Sequence, residues 1–168
     1  ARGDLGVEMP PEEVPIIQKR LVDACRNHGK PIVVATQMLD SMVNSPSPTR
    51  AEASDVATAV FDSVDCVMLS AETASGKFPV ESVKIMDRII RGVENDFSYR
   101  QLLESKKIKL EETTSDAISS AASQVVKTVL AKAIFTYTRS GGTAKRAARE
   151  RPTVPIIGLS PERLTARQ

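Results

Sequence analysis

A short β-branched stretch that ends abruptly in polar residues constrains this chain more than any other feature. Pro31-Ile32-Val33-Val34-Ala35 has the composition of a strand buried on both faces, as in the parallel sheets of α/β proteins. Thr36 and Gln37 follow at once with uncharged hydrogen-bonding side chains. Because α/β barrels and open α/β sheets bind ligands at the carboxyl ends of their strands, this position predicts a functional site.

Helix and strand patterns alternate along the rest of the chain. Residues 1–93 predict a loop, helix, strand, helix, strand and helix, with Cys66–Leu69 as the second buried strand. From Glu94 to about Thr113 the pattern weakens and charge rises, so we place a domain boundary after residue 93. Residues 94–168 then pass from this connector into a second alternating unit with strands near 133–137 and 154–159. The alternation predicts an α/β fold with parallel strands.

Local patterns predict several element ends and inward faces. Ala1–Gly6 carries two glycines and predicts a loop, and Gly29 predicts the end of a helix. Thr49 and Glu52 have the spacing of a capping box, which predicts a helix start between them. Helical spacing predicts two apolar faces, which consist of Val83, Met86, Ile90 and Val93 on one helix and of Ala117, Ala121, Ala122, Val125, Val126 and Val129 on the next.

Composition excludes several classes of function. The 168 residues carry a net charge of +2 with scattered basic residues and 4% aromatic content, which does not indicate a nucleic-acid partner. No apolar run has the length of a membrane span, and the amino terminus lacks the pattern of a signal peptide. Cys25 and Cys66 lack metal-ligand spacing and predict buried, reduced thiols. We therefore expect a cytoplasmic protein with no membrane partner.

Polar side chains in three predicted loops are candidates for chemistry. Asp4 lies between glycines, where a lone carboxylate can meet a hard cation, although Gly-Asp pairs are also common in plain turns. Thr36 ends one strand, while Ser70 and Glu72 follow the next. Parallel strands would therefore bring these loops together at the carboxyl-terminal end of the sheet. Alternatively, these side chains brace local backbone. Three apolar residues just past the first strand predict core packing: Met38, Leu39 and Met42.

A glycine-containing loop in the second unit is a candidate phosphate site. It follows a predicted strand, precedes a predicted helix and consists of Thr138, Arg139, Ser140, Gly141, Gly142 and Thr143. Backbone N–H groups at a helix start, hydroxyls and an arginine suit a phosphate. The loop has neither the spacing nor the lysine of a P-loop, and a Gly-Gly turn before a helix is also common without a ligand.

Four motifs, in this order, resemble the pyruvate kinase family. They are Ala1-Arg2-Gly3-Asp4-Leu5-Gly6, the stretch from Ala35 to Met42, Pro48-Thr49-Arg50-Ala51-Glu52, and Met68-Leu69-Ser70-Ala71-Glu72-Thr73. The resemblance runs over essentially the whole chain but covers about a third of the family's usual length, so we expect a fragment. It implies a partial TIM (β/α)8 barrel over residues 1–93, followed by the first portion of an α/β regulatory domain over residues 94–168.

The resemblance also implies an activity, the transfer of the phosphoryl group of phosphoenolpyruvate to ADP, which gives pyruvate and ATP in glycolysis. It implies Mg²⁺ or Mn²⁺ at Asp4, and K⁺ for the parent enzyme at a site outside this chain. The implied site residues are Thr36, Ser70 and Glu72 for protonation of the enolate, and Ala1, Arg2, Gly3, Asp4 and Thr36 for substrate binding. Ala71 replaces a glycine common in the family, a change that concerns the local backbone.

Regulation and assembly are implied in the same way. Residues Thr138 to Thr143 resemble the loop that holds the phosphate of an allosteric effector, a sugar phosphate or a nucleotide. In the family the segment around Met38 contributes to a subunit interface, and the parent would be a homotetramer. We further expect the chain alone to self-associate, because two strands and the end of a third cannot close an eight-stranded barrel.

The chain alone is expected to be inactive, since the family's catalytic lysine and second metal carboxylate lie outside it. Two other functions also fit part of the pattern. A metal-dependent barrel aldolase or lyase that acts through an enolate would also use Asp4 and Thr36. A non-catalytic phosphate-binding α/β module would rely on residues 140–143 alone.

Overall fold

The computed structural model describes residues 1–106 and 112–167 as alternating helices and strands. The α-helices are α1 (Arg2–Glu8), α2 (Val14–Asn27), α3 (Arg50–Phe61), α4 (Ala71–Ala74), α5 (Pro79–Asn95), α6 (Phe97–Ser105), α7 (Thr114–Val129) and α8 (Gly142–Arg149). The strands are β1 (Val33–Ala35), β2 (Cys66–Met68), β3 (Ile134–Tyr137) and β4 (Ile156–Leu159). Two 3-10 helices span Asp40–Val43 and Thr165–Arg167.

The strands pair in parallel, as the alternation predicts. In β1 and β2, Val33 lies opposite Cys66 and Ala35 lies opposite Met68. In β3 and β4, Ile134 lies opposite Ile156. Parallel neighbours need a crossover connection, and the helices α3 and α8 lie between the paired strands in the chain. The predicted α/β fold class is therefore confirmed.

The chain divides into two compact units. The first comprises Ala1–Cys25 and Pro31–Lys107, and the second comprises Arg26–Lys30 and Ile108–Gln168. The described part of the predicted connector is largely helical and includes α6, while residues 107–111 of it lie outside the described residues. A domain boundary after residue 93 stays a prediction. No helix in the described ranges combines the length and apolar content that crossing a membrane requires.

The core of the first unit lies beneath the carboxyl end of β1. Its buried members come from β1, the segment after it, α3 and α5, and are Val34, Met38, Leu39, Met42, Val56, Ala59 and Met86. The core prediction for Met38, Leu39 and Met42 is confirmed, since all three are fully buried. Each such side chain contributes about 1.5–3 kcal/mol when it leaves water. The polar strand end is therefore attached directly to the buried core of the unit.

The prediction of a loop over Ala1–Gly6 is wrong, because this stretch forms α1. Two glycines disfavour a helix by about 1 kcal/mol each, but tertiary contacts override intrinsic preference. Leu5 N–H donates to Ala1 O at 3.2 Å, and Met9 N–H donates to Leu5 O at 2.9 Å. Side-chain contacts from Arg2, described below, attach this helix to the end of β1.

The two strands of the first unit are less buried than predicted. Val34 and Ala35 are buried, but Val33 is 51% exposed, and Cys66 and Met68 are also exposed. A strand is buried on both faces only when helices or further strands cover both, and this sheet has two strands within the described residues. Both cysteines are free, as predicted, but the prediction that both thiols are buried is wrong, since Cys66 is exposed and Cys25 is only partly buried.

The inward face of α5 agrees with the prediction at Met86, Ile90 and Val93 and differs at its first position. Val83 is exposed, whereas Ser82, Met86 and Val93 are buried and Ile90 packs against the core. Ser82 tolerates burial because its hydroxyl donates to Phe78 O at 2.8 Å. The buried stripe therefore runs through a serine that an apolar pattern does not include.

The inward face of α7 differs more strongly, because a charged residue occupies it. Val126 is buried as predicted, but Val125 and Val129 are exposed. Asp116 is buried instead, and its Oδ2 accepts a 2.6 Å hydrogen bond from Arg149 Nη2 of α8. Because a buried charge is stable only when it is paired, this contact determines which side of α7 faces α8.

Candidate active site

The candidate site forms where β1 and β2 end side by side. Because Ala35 lies opposite Met68, Thr36, which follows β1, and Ser70, two residues after β2, leave the sheet at the same edge. The chain after β1 continues to the 3-10 helix Asp40–Val43, and the chain after β2 enters the short helix α4. We call residues 36–43 the brace segment, since contacts from α1, α3 and α4 hold it.

Thr36 connects the end of β1 to α1. Its Oγ1 accepts a 2.8 Å hydrogen bond from Gly3 N–H and donates to Ala35 O at 2.6 Å. The backbone at Thr36 and Gln37 lies in the left-handed region, with φ of 71° and 53°. This region is costly for a β-branched residue and marks a conformation that surrounding contacts enforce.

Arg2 of α1 lies against the same turn. Its Nη2 donates to Thr36 O and to Gln37 O, both at 3.0 Å, and contacts Met38 Sδ at 2.9 Å. Its Nη1 lies 2.7 and 2.6 Å from the two carboxylate oxygens of Asp55 on α3. The guanidinium therefore joins three separate pieces of the chain.

Glu72 contacts the brace segment from the end of β2. Glu72 is 2% exposed; its Oε1 accepts from Leu39 N–H at 3.1 Å, and its Oε2 accepts from Ser70 N–H at 2.7 Å. The carboxylate thus bridges the two strand ends through backbone donors. These contacts match the alternative in which such side chains brace local backbone.

Glu52 fixes the far end of the brace segment. It accepts hydrogen bonds from the backbone and hydroxyl of Ser41 at 2.7 and 2.6 Å, and from those of Thr49 at 2.7 and 2.8 Å. Burial raises the pKa of Glu52, but these hydrogen bonds together outweigh it and hold the pKa below its usual value. Thr49 Oγ1 also accepts from Glu52 N–H, which completes the predicted capping box.

Asp4 lies exposed in the first turn of α1, two residues after Arg2. Within the described residues no group of three or more acidic, histidine or cysteine side chains is placed to hold a metal ion. Mg²⁺ is commonly bound through one or two carboxylates, with water and substrate oxygens completing its shell. An accessible single carboxylate fits one such position, but it cannot hold the ion by itself.

The glycine-containing loop belongs to the second unit and surrounds the start of α8. Gly141 has a φ of 82°, which glycine adopts without strain, and it caps the helix. Thr138 is buried, whereas Arg139, Ser140 and Thr143 are exposed. Arg139 Nη2 lies 3.7 Å from Glu162 Oε1, and its carbonyl accepts from Thr165 Oγ1 at 2.8 Å. The exposed groups leave the helix start accessible to an anion.

Sequence reasoning missed Asp55 and underestimated Glu52. The capping-box spacing identified Glu52 as a helix cap, but nothing in that spacing indicates its contacts to Ser41. Asp55 lies one helical turn after Glu52, so both carboxylates lie on one face of α3, where Glu52 contacts Ser41 and Asp55 contacts Arg2. That spacing marks Asp55 as a candidate, although it does not indicate the contact of Asp55 with Arg2.

Comparisons with known proteins agree over both units. Residues 1–83 match the family model "Pyruvate kinase, barrel domain", and residues 116–168 match "Pyruvate kinase, alpha/beta domain". Over all 168 residues the chain is 55% identical to a pyruvate kinase of Agrobacterium vitis and 54% identical to one of Methylorubrum extorquens, covering 35% of each. A crystal structure of a pyruvate kinase from Cryptosporidium parvum superposes with a TM-score of 0.89 at 43% identity, covering 99% of this chain and 34% of that one. The chain thus spans about a third of the length of these relatives.

Proposed function

The chain belongs to the pyruvate kinase family, and we propose that the protein containing it transfers the phosphoryl group of phosphoenolpyruvate to ADP, giving pyruvate and ATP in cytoplasmic glycolysis. The observation that carries this proposal is the meeting of α1, Thr36 and the Ser70–Glu72 corner at one edge of the sheet. Both matched family models describe pyruvate kinases, so an aldolase, a lyase or a non-catalytic phosphate-binding module is not favoured.

Asp4 is proposed to provide one carboxylate of a Mg²⁺ or Mn²⁺ site. Its exposure leaves its oxygens accessible, and its position beside Gly3 places it next to the residue that contacts Thr36. The bound ion would neutralise charge on the phosphate and on the developing enolate. Ala1 and Gly3 are proposed to lie along the substrate carboxylate, and the parent enzyme is proposed to need K⁺.

Thr36 is proposed to assist protonation of the enolate, with Ser70 and Glu72 in the surrounding polar network. The Thr36 hydroxyl donates to Ala35 O, and rotation about its Cβ–Oγ1 bond would redirect that proton without moving the backbone. Glu72 keeps the two strand ends in register while this occurs. The role of Glu72 is thus to support the geometry in which Thr36 acts.

Residues Thr138 to Thr143 are proposed to bind the phosphate of an allosteric effector, a sugar phosphate or a nucleotide. The support is the exposed arginine and hydroxyls beside the N-terminus of α8. The parent enzyme is proposed to be a homotetramer. The fully buried side chains of Met38, Leu39 and Met42 would support such an interface from behind, since they face the core.

The activity is tested with Asp4→Asn in the full-length protein that contains this chain. We expect pyruvate formation, followed in a coupled assay, to fall by about 10²–10³-fold, because the amide removes one charged metal ligand. Higher Mn²⁺ concentrations should recover part of the lost rate. Asp23→Asn is the matched control, since Asp23 is an exposed aspartate on α2.

Full activity in Asp4→Asn would contradict the metal assignment. The 168-residue chain alone is expected to form no pyruvate above a control without protein. Pyruvate formation by that chain, lost on Asp4→Ala, would contradict this second expectation.

A further inference from the structure

Arg2 has few donors left for a ligand. Nη1 donates to the Asp55 carboxylate, and Nη2 donates to the carbonyl oxygens of Thr36 and Gln37. Nε is buried and has no hydrogen-bond partner among the described residues, and the whole side chain is only 14% exposed. A guanidinium held in this way cannot also form the paired N–H contacts by which arginine recognises a phosphate.

The turn at Thr36 and Gln37, which Arg2 contacts, has a backbone conformation that surrounding contacts must stabilise. Two successive residues in the left-handed region, one of them threonine, persist only where contacts over-determine the backbone. Their carbonyl oxygens both accept from the same nitrogen of Arg2, which is compatible with only a narrow range of backbone angles. Gly3 N–H adds a third contact, directly to the Thr36 hydroxyl.

Asp55 determines where the guanidinium lies. It contacts Nη1 through both carboxylate oxygens, and it stands on α3, whose neighbouring residues Val56 and Ala59 belong to the core. Its side chain is 37% exposed, so the pair can be changed without opening the core. The rigid helix α3 thus transmits its position through Asp55 and Arg2 to the turn at Thr36.

We propose that Asp55 and Arg2 are positioning residues, which hold the Thr36–Gln37 turn left-handed and so place the Thr36 hydroxyl for proton transfer. Arg2 then acts through Thr36 instead of lining the phosphate. This inference rests on the proposed role of Thr36. It assigns a function to Asp55, and it replaces the direct substrate contact that the sequence resemblance implies for Arg2.

The test uses Asp55→Asn and Arg2→Lys in the full-length protein. Asparagine keeps the shape of Asp55 but removes its charge, and lysine keeps the charge of Arg2 but cannot bridge two carbonyls and a carboxylate. We expect kcat to fall by about 10–100-fold with little change in KM for phosphoenolpyruvate, since misplacement near the reacting atoms costs this much. Asp87→Asn breaks an exposed Arg–Asp pair within α5 and is the matched control, with unchanged kcat.

Two further measurements separate positioning from general loss of structure. The methyl resonance of Thr36 in threonine-labelled protein should shift in both variants and not in the control. Solvent deuterium exchange into the methyl group of pyruvate should slow in Arg2→Lys, and a Thr36→Val background should abolish that effect. This non-additivity is expected when two residues act through one group.

The outcomes distinguish the two proposals. A Thr36 methyl resonance that stays fixed in both variants overturns the positioning role, as does a rise of tenfold or more in KM with unchanged kcat, which indicates a direct phosphate contact. Thr36→Val with normal exchange and turnover overturns the proposed role of Thr36, while the methyl shift in Asp55→Asn still reports on the turn. A shifted Thr36 methyl resonance together with slowed deuterium exchange into pyruvate supports both the positioning role of Arg2 and Asp55 and the proposed role of Thr36.

Discussion

The Glu52 carboxylate makes two kinds of contact: it caps the start of α3 at Thr49, and it binds the backbone at Ser41. Four hydrogen bonds lower its pKa even though burial opposes them. A group with a lowered folded-state pKa stabilises the fold fully above its unfolded value of about 4.5, and this contribution disappears as the pH falls through the folded-state value. The stabilisation by Glu52 is therefore present at neutral pH and lost in acid.

Glu52→Gln should lower the free energy of unfolding by about 1 kcal/mol at about pH 7, because an amide replaces a charged acceptor in a partly exposed position. At about pH 3 the difference from the unchanged protein should be much smaller. Urea denaturation at the two pH values measures both. Glu81→Gln on α5 is a control whose effect should be small, and an effect of Glu52→Gln that is equal at both pH values would contradict the explanation.

At the same scale, the sequence predicted which polar residues stand at the strand ends better than it predicted their contacts. Thr36 and Glu72 were identified because polar residues that follow apolar strands are easily recognised. The contact between Arg2 and Asp55 joins residues 53 positions apart and has no local pattern. The roles predicted for Thr36 and Asp4 are tested by the variants described above, and those of Ser70 and Glu72 remain predictions.

Elements were predictable where their ends carry specific side-chain chemistry. The capping box at Thr49 placed the start of α3, and Gly29, with a φ of 60°, follows the end of α2 as expected. Helix faces were less predictable, since Asp116 and Ser82 are buried through partners that lie elsewhere in the chain or in the preceding turn. The sequence does not predict the helix α1, because its residues have a low intrinsic helix preference. The contacts of Arg2 and Gly3 with residues far along the chain stabilise it instead.

Two glycines in and near α5 should respond in opposite ways to alanine. A Cβ at Gly76 would lie 2.5 Å from Glu72 O and 3.2 Å from Val43 Cα, whereas a Cβ at Gly92 meets nothing within 4 Å. Gly76→Ala should therefore cost about 1–3 kcal/mol, because rigid backbone must move. Gly92→Ala should stabilise the protein by up to about 1 kcal/mol, because alanine favours the helix interior.

Thermal unfolding of the two variants provides the comparison. A melting temperature that falls for Gly76→Ala and rises for Gly92→Ala is the expected pattern. If Gly76→Ala melts no earlier than the unchanged protein, the close approach between α4 and the brace segment does not limit stability.

On the scale of the whole molecule, the sequence predicted fold class and parallel pairing but overestimated burial. The alternation of helices and strands follows from the hydrophobic periodicity of the sequence, so it can be predicted from the sequence alone. Burial depends on what covers each face, and each sheet in the described residues has two strands. Phe135 and Tyr137 on β3 are accordingly 66% and 71% exposed.

The isolated 168-residue chain should self-associate through these uncovered strands. Exposed aromatic side chains next to open strand edges are ready sites for pairing with another copy. Light scattering after size-exclusion chromatography should give a mass above the 18.2 kDa of one chain. Replacing Phe135 and Tyr137 with serine should reduce that mass, whereas Leu164→Ser, at an exposed position outside the sheets, should not. A clean monomer would contradict the prediction.

The contacts that hold the brace segment bear on how freely this region can change during evolution. Its anchors are main-chain atoms: Arg2 binds the carbonyls of residues 36 and 37, Glu72 and Glu52 bind the N–H groups of residues 39 and 41, and Lys77 N–H binds the carbonyl of residue 43. Gln37 and Asp40 are exposed, and neither supplies those anchors through its side chain. Amino-acid identity can therefore drift at Asp40, and at Gln37 among residues that tolerate a left-handed backbone, while Thr36 keeps its place, so that new specificities can arise there without loss of the inherited geometry.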